Sequence, residues 1–364
     1  MESKEVYEEE IKMKIKAARM YGPKDLRIEE IELPELQPDQ VLVKPKACGI
    51  CGSDISCFLG HSTEGRYDIA PYTPGHEWAG VVEKVGSAVT SIKVGDKVVG
   101  DCLCPCFKCD NCKDGKMPSV CENFDEVGFL PTSYGAMAEY MITNEAYTHV
   151  IPQDWSYEMG ALVENFNVGY WGVWGNQFNP DAQDICCIIG AGTIGLSAAM
   201  SCAASNATVF VVDPVEKRRK NALNYGADYV LDPMSCDVGE EIRKITGTDG
   251  ATLLVECSGS DDGIASCFEI AAPSARIAAV GHSHERRVPL KWEHIIWKTL
   301  TIKGSAGTKF WFPRTIRFMS KIKDQFDFDG LVSHSFKFED IHEAFDFVLN
   351  NPEKTQKVML TFDD

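Results

Sequence analysis

Cys51, His76, Glu77 and Glu164 are the residues of this chain whose types and spacing suit metal chemistry. Cys51 lies in Cys48-Gly49-Ile50-Cys51-Gly52-Ser53-Asp54, and Gly75-His76-Glu77 follows about 25 residues later. A thiolate, an imidazole and a carboxylate suit Zn²⁺, and three protein ligands leave a fourth position for water or a substrate oxygen. An open shell of that kind is the pattern of a catalytic metal. Either Glu77 or Glu164 can supply the carboxylate.

A second set follows. Cys106-x₂-Cys109-x₂-Cys112-x₈-Cys121 offers four thiolates within 16 residues, in a loop that also carries Pro105, Gly115 and Pro118. Four sulfurs close a tetrahedral shell around a structural zinc and hold a loop with little apolar surface of its own. Cys102 and Cys104 stand just before it and are not needed for the shell. The expectation is therefore two zinc ions per chain, one catalytic and one structural.

The third constellation is Gly190-Ala191-Gly192-Thr193-Ile194-Gly195, directly after the apolar run Ile185–Ile189. The first glycine permits a tight turn, the second lets backbone approach a pyrophosphate, and the third allows close helix–strand packing. The N–H groups at Thr193 and Ile194 then face the phosphates from a helix N-terminus. Asp213 closes the next apolar run 18 residues after Gly195, where a carboxylate binds ribose hydroxyls. A carboxylate there repels a 2′-phosphate, so NAD is expected over NADP. Lys217, Arg218 and Arg219 follow, and Arg218 is taken as the cation of this group that contacts cofactor.

These sites need elements to hold them. Short strands are predicted at 14–19, 27–32, 40–47, 77–85 and 97–100, punctuated by Pro34, Pro38, Pro45, Pro71 and Pro74, which describes a β-rich domain with long loops. The period turns helical over 159–174. From Asp184 onward, apolar runs at 185–189, 208–212, 229–231, 252–256, 275–280 and 300–303 alternate with helices at 194–204, 216–225, 238–246 and 261–271. That alternation describes a parallel, doubly wound α/β sheet. Helices near 313–323 and 341–350 precede a last strand, 356–362, expected to return to the first domain. The boundaries are then 1–163 with 306–364 for the first domain, which includes the zinc lobe at about 102–123. Residues 164–305 form the second.

Composition fits this picture. The chain has 364 residues, 44% apolar and 25% charged, enough for two packed cores. A formal charge of −18 argues against nucleic acid or an anionic membrane as partner. Residues 185–212 carry no charge, but Gly190, Gly192, Gly195 and Asn206 make this stretch a buried strand–helix–strand and not a membrane span. Residues 1–12 are acidic and lack the apolar core of an export signal, so the fifteen cysteines read as reduced thiols and metal ligands in a cytoplasmic protein.

Cys51-Gly52-Ser53-Asp54, Gly75-His76-Glu77-Trp78-Ala79-Gly80, the four-cysteine lobe, Glu164 and Gly190–Gly195 occur in the order found in one known family. From about residue 13 to the end, the chain resembles the zinc-dependent medium-chain alcohol dehydrogenases, nearest in pattern to the sorbitol, threonine and sugar dehydrogenase branch. The resemblance implies a GroES-like catalytic domain and a Rossmann domain, with the active site in the cleft between them. It implies that Cys51 and His76 bind the catalytic zinc, with Glu77 a ligand in some members and a nearby carboxylate in others. Glu164 falls where the family places its third protein ligand. Ser53 matches the hydroxyl of the proton relay and Asp54 the acid that orients His76. A homodimer or homotetramer is implied as well.

The chain also departs from the pattern. Ser56 stands where the relay histidine is common, with His61 nearby. Asn165 replaces the usual proline after Glu164, and the lobe has x₈ where x₇ is usual. Gly307-Thr308 stands in place of the sorbitol-type Arg-Tyr pair, which argues against sorbitol itself. The expected reaction is hydride transfer from a secondary alcohol of a polyol, cyclitol or sugar to NAD⁺. His61, Glu64, Arg66 and Tyr67 in the first-domain loop are compatible with a polyhydroxylated substrate. The alternatives are an L-threonine-type amino-alcohol dehydrogenase and, from other classes, a zinc-free enone reductase or a non-catalytic NAD(H)-binding protein.

Overall fold

Ile185-Cys186-Cys187-Ile188-Ile189 has no polar face, and it forms a strand buried along its whole length. Such a strand belongs inside a sheet covered on both sides. In the computed structural model, which describes residues 13–61, 70–130, 134–281, 287–308 and 310–363, it lies within a six-stranded parallel sheet. From edge to edge the strands are Tyr229–Leu231, Thr208–Val212, Ile185–Ile189, Ala251–Glu256, Ala271–Ala279 and Thr301–Gly304. The chain order reverses between Ile185–Ile189 and Ala251–Glu256. The carboxyl ends of the strands at such a reversal form the crevice in which doubly wound sheets bind ligands. The charge-free stretch is two strands around the helix Thr193–Ala203, and no helix among the described residues is long and apolar enough to cross a membrane.

The other large sheet is mostly antiparallel. Its order is Val332–Lys337, Lys357–Thr361, Gln40–Ile50, Glu77–Val85, Lys97–Gly100 and Thr148–Val150, with Met141–Asn144 also paired to Gln40–Ile50. The last strand of the chain thus lies against one of the first, with Met359 opposite Gly49. Glu77 is opposite Gly49 on the other side. The central strand therefore brings residues 77 and 357 next to each other. Trp78, Val43, Val98, Met137 and Leu360 fill the core of this sheet.

Two elements differ from the expected pattern for physical reasons. The helical stretch 159–174 is split into Tyr157–Ala161 and Val163–Tyr170, then a wider turn of π-helix at Trp171–Gly175. Gly169 lets the second piece lie directly on Thr193–Ala203, since a Cβ there would sit 1.9 Å from Ser197 Oγ. The strand expected from Ala275 starts at Ala271, because Pro273 and the left-handed Ser274 (φ 61°) fall at an irregularity of the ladder where proline is tolerated. The extension 1–12 and the loop residues Glu64, Arg66 and Tyr67 lie outside the described residues.

Candidate active site

Cys51 ends the central strand Gln40–Ile50 and caps the helix Gly52–Phe58. Asp54, one turn in, accepts the Cys51 N–H at 2.9 Å on Oδ2. Its other oxygen, Oδ1, is 3.8 Å from His76 Nδ1, and both atoms are buried without a hydrogen-bond partner among the described residues. One acid thus braces the backbone of one metal-ligand candidate and faces the ring of the other. The Phe129 ring, 4.9 Å from the imidazole, covers His76. Burial opposes charging His76, but Asp54 and Cys51 outweigh it and hold its pKa well above the ordinary value. Burial raises the Cys51 thiol.

Cys51, His76 and Glu77 present ligand atoms within 4.8 Å of one another. Glu77 opens the strand Glu77–Val85 and is fully buried, with Oε2 paired to Lys357 Nζ at 2.6 Å and Oε1 accepting from Asn165 Nδ2 at 2.5 Å. Burial alone would raise its pKa, but Lys357 and His76 bring the net shift downwards, so the carboxylate stays ionised. Gly49 makes room for the pair, since a Cβ there would lie 2.2 Å from Glu77 Oε2. Glu164 comes from the first turn of Val163–Tyr170 and lies outside the 4.8 Å group. Burial pushes its pKa up to about 7 against the pull of His76, with Glu77 adding to the rise. The two acids that the sequence left as alternatives thus differ in kind. Glu77 already has a cation, whereas Glu164 has none hydrogen-bonded to it among the described residues.

A thiol, an imidazole and neighbouring carboxylates, with orphaned buried atoms on His76 and Asp54, make a donor set that fits Zn²⁺. Ser53 and Ser56 lie half-buried on the helix after Cys51. His61 is exposed beyond its end and donates its N–H to the Ser56 carbonyl. Gly307 and Thr308, which follow the strand Thr301–Gly304, are each held by another element. Gly307 (φ 75°) lies against Leu103, where a Cβ would come within 2.5 Å of Leu103 Cδ1. Thr308 Oγ1 accepts from Asn167, whose Oδ1 accepts from Thr315 at 2.7 Å.

Cys106, Cys109, Cys112 and Cys121 form a second group within the same 4.8 Å limit. The N–H groups of Lys108 and Cys109 donate to Cys106 Sγ at 3.4 and 3.3 Å, and that of Asn123 donates to Cys121 Sγ at 3.4 Å. Those backbone donors lower the Cys106 thiol to about 6. The set fits a closed tetrahedral Zn²⁺ site.

At the nucleotide loop, Gly190 takes φ 95°, and a Cβ on Gly195 would strike Gly190 O at 1.8 Å. Gly192 is the N-cap of Thr193–Ala203 and provides no side-chain cap, so the first N–H groups at Thr193 and Ile194 suit a phosphate. Asp213 is buried beneath this loop, accepting from Ala191 N–H and Val215 N–H at 2.8 Å each. Arg218 donates to the Pro352 and Thr355 carbonyls, Lys217 to that of Lys354, and Arg219 pairs with Asp232 at 2.9 Å. The arrangement fits a dinucleotide.

Residues 37–153 match the family model of the alcohol dehydrogenase GroES-like domain, and residues 193–322 that of the zinc-binding dehydrogenases. An (R,R)-butanediol dehydrogenase of Bacillus subtilis is 32% identical over 359 residues, covering 95% of this chain and 99% of its own. The chain belongs to the zinc-type medium-chain alcohol dehydrogenase family. A sorbitol dehydrogenase of the same bacterium is 29% identical over 95% of this dehydrogenase and 97% of its own length. The crystal structure of an Escherichia coli alcohol dehydrogenase in complex with NADH is 28% identical, with a TM-score of 0.86 over 96% of this chain and 99% of that one.

Sequence reasoning missed three buried polar residues of this dehydrogenase that hold other side chains in place. Lys357 left a trace, as a lone cation heading the buried run Val358-Met359-Leu360. Asn167 shares a helix with Glu164, three positions on, and is buried where a solvent-facing amide would be exposed. Asn165 was visible only as a missing proline, with no sign of its bond to Glu77.

Proposed function

We propose that the protein is an NAD-dependent dehydrogenase of secondary alcohols, with a polyol, cyclitol or sugar as substrate. The observation that carries this reading is the convergence of Cys51, His76 and two carboxylates in one pocket of a chain that also has a dinucleotide loop. Zinc bound by Cys51, His76 and a carboxylate would supply Lewis acidity towards an alcohol oxygen, and NAD would supply the hydride acceptor. Asp54 fixes the first two ligands by bonding the Cys51 backbone and facing His76 Nδ1. Ser53, half-buried two residues after Cys51, takes the alcohol proton towards solvent. Asn167 and Thr308 tie the pocket wall to the helix bearing Glu164, which holds the cleft in one shape.

Preference for NAD is supported by the cations near Asp213. Lys217 and Arg218 donate to carbonyls of residues 352–355 and Arg219 pairs with Asp232, so these cations are turned towards partners within the chain. A polyol class is supported by the polar pocket and by relatives named for sorbitol and butanediol. Gly307 and Thr308, small where the sorbitol-type pair would stand, favour a substrate other than sorbitol. All fifteen cysteines are free thiols, as suits a reducing cytoplasm. Thr301–Gly304 is an exposed sheet edge in sequence with the exposed Trp292, Ile296 and Trp297, which supports pairing with a second copy of the chain.

A screen of NAD⁺ reduction over polyols, cyclitols, aldoses and amino alcohols, with zinc quantified per chain, tests the reading. The expected result is turnover of a polyhydroxylated alcohol at two zinc ions per chain, with a lower kcat/KM on NADP⁺. Turnover only on amino alcohols, or none on any alcohol by a fully metallated protein, overturns it.

A further inference from the structure

Asn165 lies in the first turn of the helix Val163–Tyr170 and is almost completely buried, between the two acids that compete for the catalytic metal. Its Nδ2 is 2.5 Å from Glu77 Oε1 and 3.4 Å from Glu164 Oε2. Both neighbours are acceptors when ionised, so the amide must turn its NH₂ towards them, and that fixes its orientation. The consequence is visible on the other side, where Asn165 Oδ1 is buried with no hydrogen-bond partner among the described residues. Leaving a buried carbonyl oxygen unpaired costs the fold its desolvation. An alanine would avoid that cost, so the side chain is held there by what its donors do.

What they do follows from the sheet. Glu77 and Lys357 start strands on either side of Gln40–Ile50, and Lys357 Nζ takes Glu77 Oε2 while also donating to Ile50 O at 3.3 Å. Asn165 takes the opposite oxygen. Glu77 is thereby gripped from two sides, by an ammonium from the end of the chain and by an amide from the helix of Glu164. Among the described residues Glu164 has only the long hydrogen-bond contact to Asn165, which keeps its carboxylate available.

We propose that Asn165 is a positioning residue that pins Glu77 to Lys357 and so leaves Glu164 as the carboxylate that completes the catalytic zinc shell. The inference rests on the reading of Cys51 and His76 as ligands of that metal. Without the amide, Glu77 is held by Lys357 alone and can swing towards the metal, so the two acids compete and the shell loses definition.

The test uses the full-length, metal-loaded protein and two substitutions, Asn165→Ala and Asn165→Pro, the second because proline is tolerated in a helix's first turn. Metal release to a chromophoric chelator and the visible spectrum of the Co²⁺-substituted protein are the readouts. The four-cysteine lobe is the internal control. The expected result is release of the pocket metal accelerated about tenfold or more, the usual scale for groups that orient ligands, with shifted Co²⁺ d–d bands and unchanged release from the lobe. Release within twofold of wild type with superimposable Co²⁺ spectra overturns the inference, as does equal acceleration from both sites, which marks general loosening. Failure of the functional reading shows separately, as a wild-type protein that holds its pocket metal but reduces no NAD⁺ with any alcohol.

Discussion

In the four-cysteine lobe, Cys106 accepts two backbone N–H groups and its thiol falls to about 6; in the pocket, Cys51 is raised by burial. The lobe draws its ligands from 16 consecutive residues, and only local backbone is needed to ready the thiolates. The pocket draws on residues 51, 76–77 and 164, plus a lysine 280 positions from Glu77. There the fold must bring charges together in a buried space, and each charge is sustained by another. A structural metal can be bound by a loop that folds around it, whereas a catalytic one needs a frame that stands first.

Removing one candidate ligand from each region should separate the two most clearly. Cys51→Ser and His76→Ala should each lower kcat by at least ~10³-fold, as expected when stabilisation of a developing alkoxide is lost. Metal content should drop from two zinc ions per chain to one, and thermal stability should change little because the frame precedes the metal. A mutant that keeps both metals and its turnover would end the assignment of this pocket.

Cys109→Ser is the mirror case. Here the remaining metal is expected in the pocket, and the loss should appear mainly as stability, because binding and folding of the lobe are one event. A fall in Tm of roughly 5 °C or more, read by calorimetry beside metal analysis, is the expected outcome for a loss of a few kcal/mol. An unchanged Tm would show that the lobe folds without its metal.

The same contrast explains what was legible in the sequence. The lobe could be read directly, since its spacing is local and sulfur chemistry leaves few other uses for it. The strands Glu77–Val85 and Lys97–Gly100 and the parallel sheet were legible from apolar runs and glycines. The start of the strand at Ala271 was not, because Pro273 reads as a turn until a ladder irregularity absorbs it. Nor could the difference between Glu77 and Glu164 be read. It depends on Lys357 crossing Gly49 and on the amide of Asn165, and both are long-range facts of the sheet.

Acidity offers a smaller test, in which substitution isolates the contribution of Glu164. In chelator-stripped protein, Glu164 is raised by burial from its ordinary 4.5 to about 7, so the folded chain holds that proton more tightly than the unfolded one. The resulting stability is fully present below about pH 4.5 and is lost as pH rises through about 7. Glu77 runs the other way, since its lowered pKa gives stability that is lost on acidification. Stripped Glu164→Gln should therefore lose less Tm between pH 5 and pH 7.5 than the stripped wild type, by a few degrees. Parallel curves would show that Glu164 is not the strained acid.

The least effect is expected where the two regions touch. Phe107, between two lobe cysteines, has the left-handed φ of 56° and is 50% exposed, yet it stacks on Tyr147 at 5.8 Å and on Phe310 at 5.4 Å. Phe310 belongs to the segment that carries Gly307 and Thr308, and Leu103 lies against Gly307 from the lobe side. The lobe thus packs against Gly307 and Phe310, while Asn167 holds Thr308. Aromatic pairs of this geometry contribute about 0.5–1.5 kcal/mol beyond their buried area. Phe107→Ala should therefore lower Tm by only ~2–4 °C, with both metals retained. On the proposed reading, in which Gly307 and Thr308 face the substrate, KM for the alcohol should rise by up to about fivefold, the kinetic equivalent of ~1 kcal/mol, with kcat nearly constant. A fall in kcat at constant KM would mean that the lobe acts on the chemistry itself, and the division between a self-contained metal loop and a fold-built catalytic pocket would have to be redrawn.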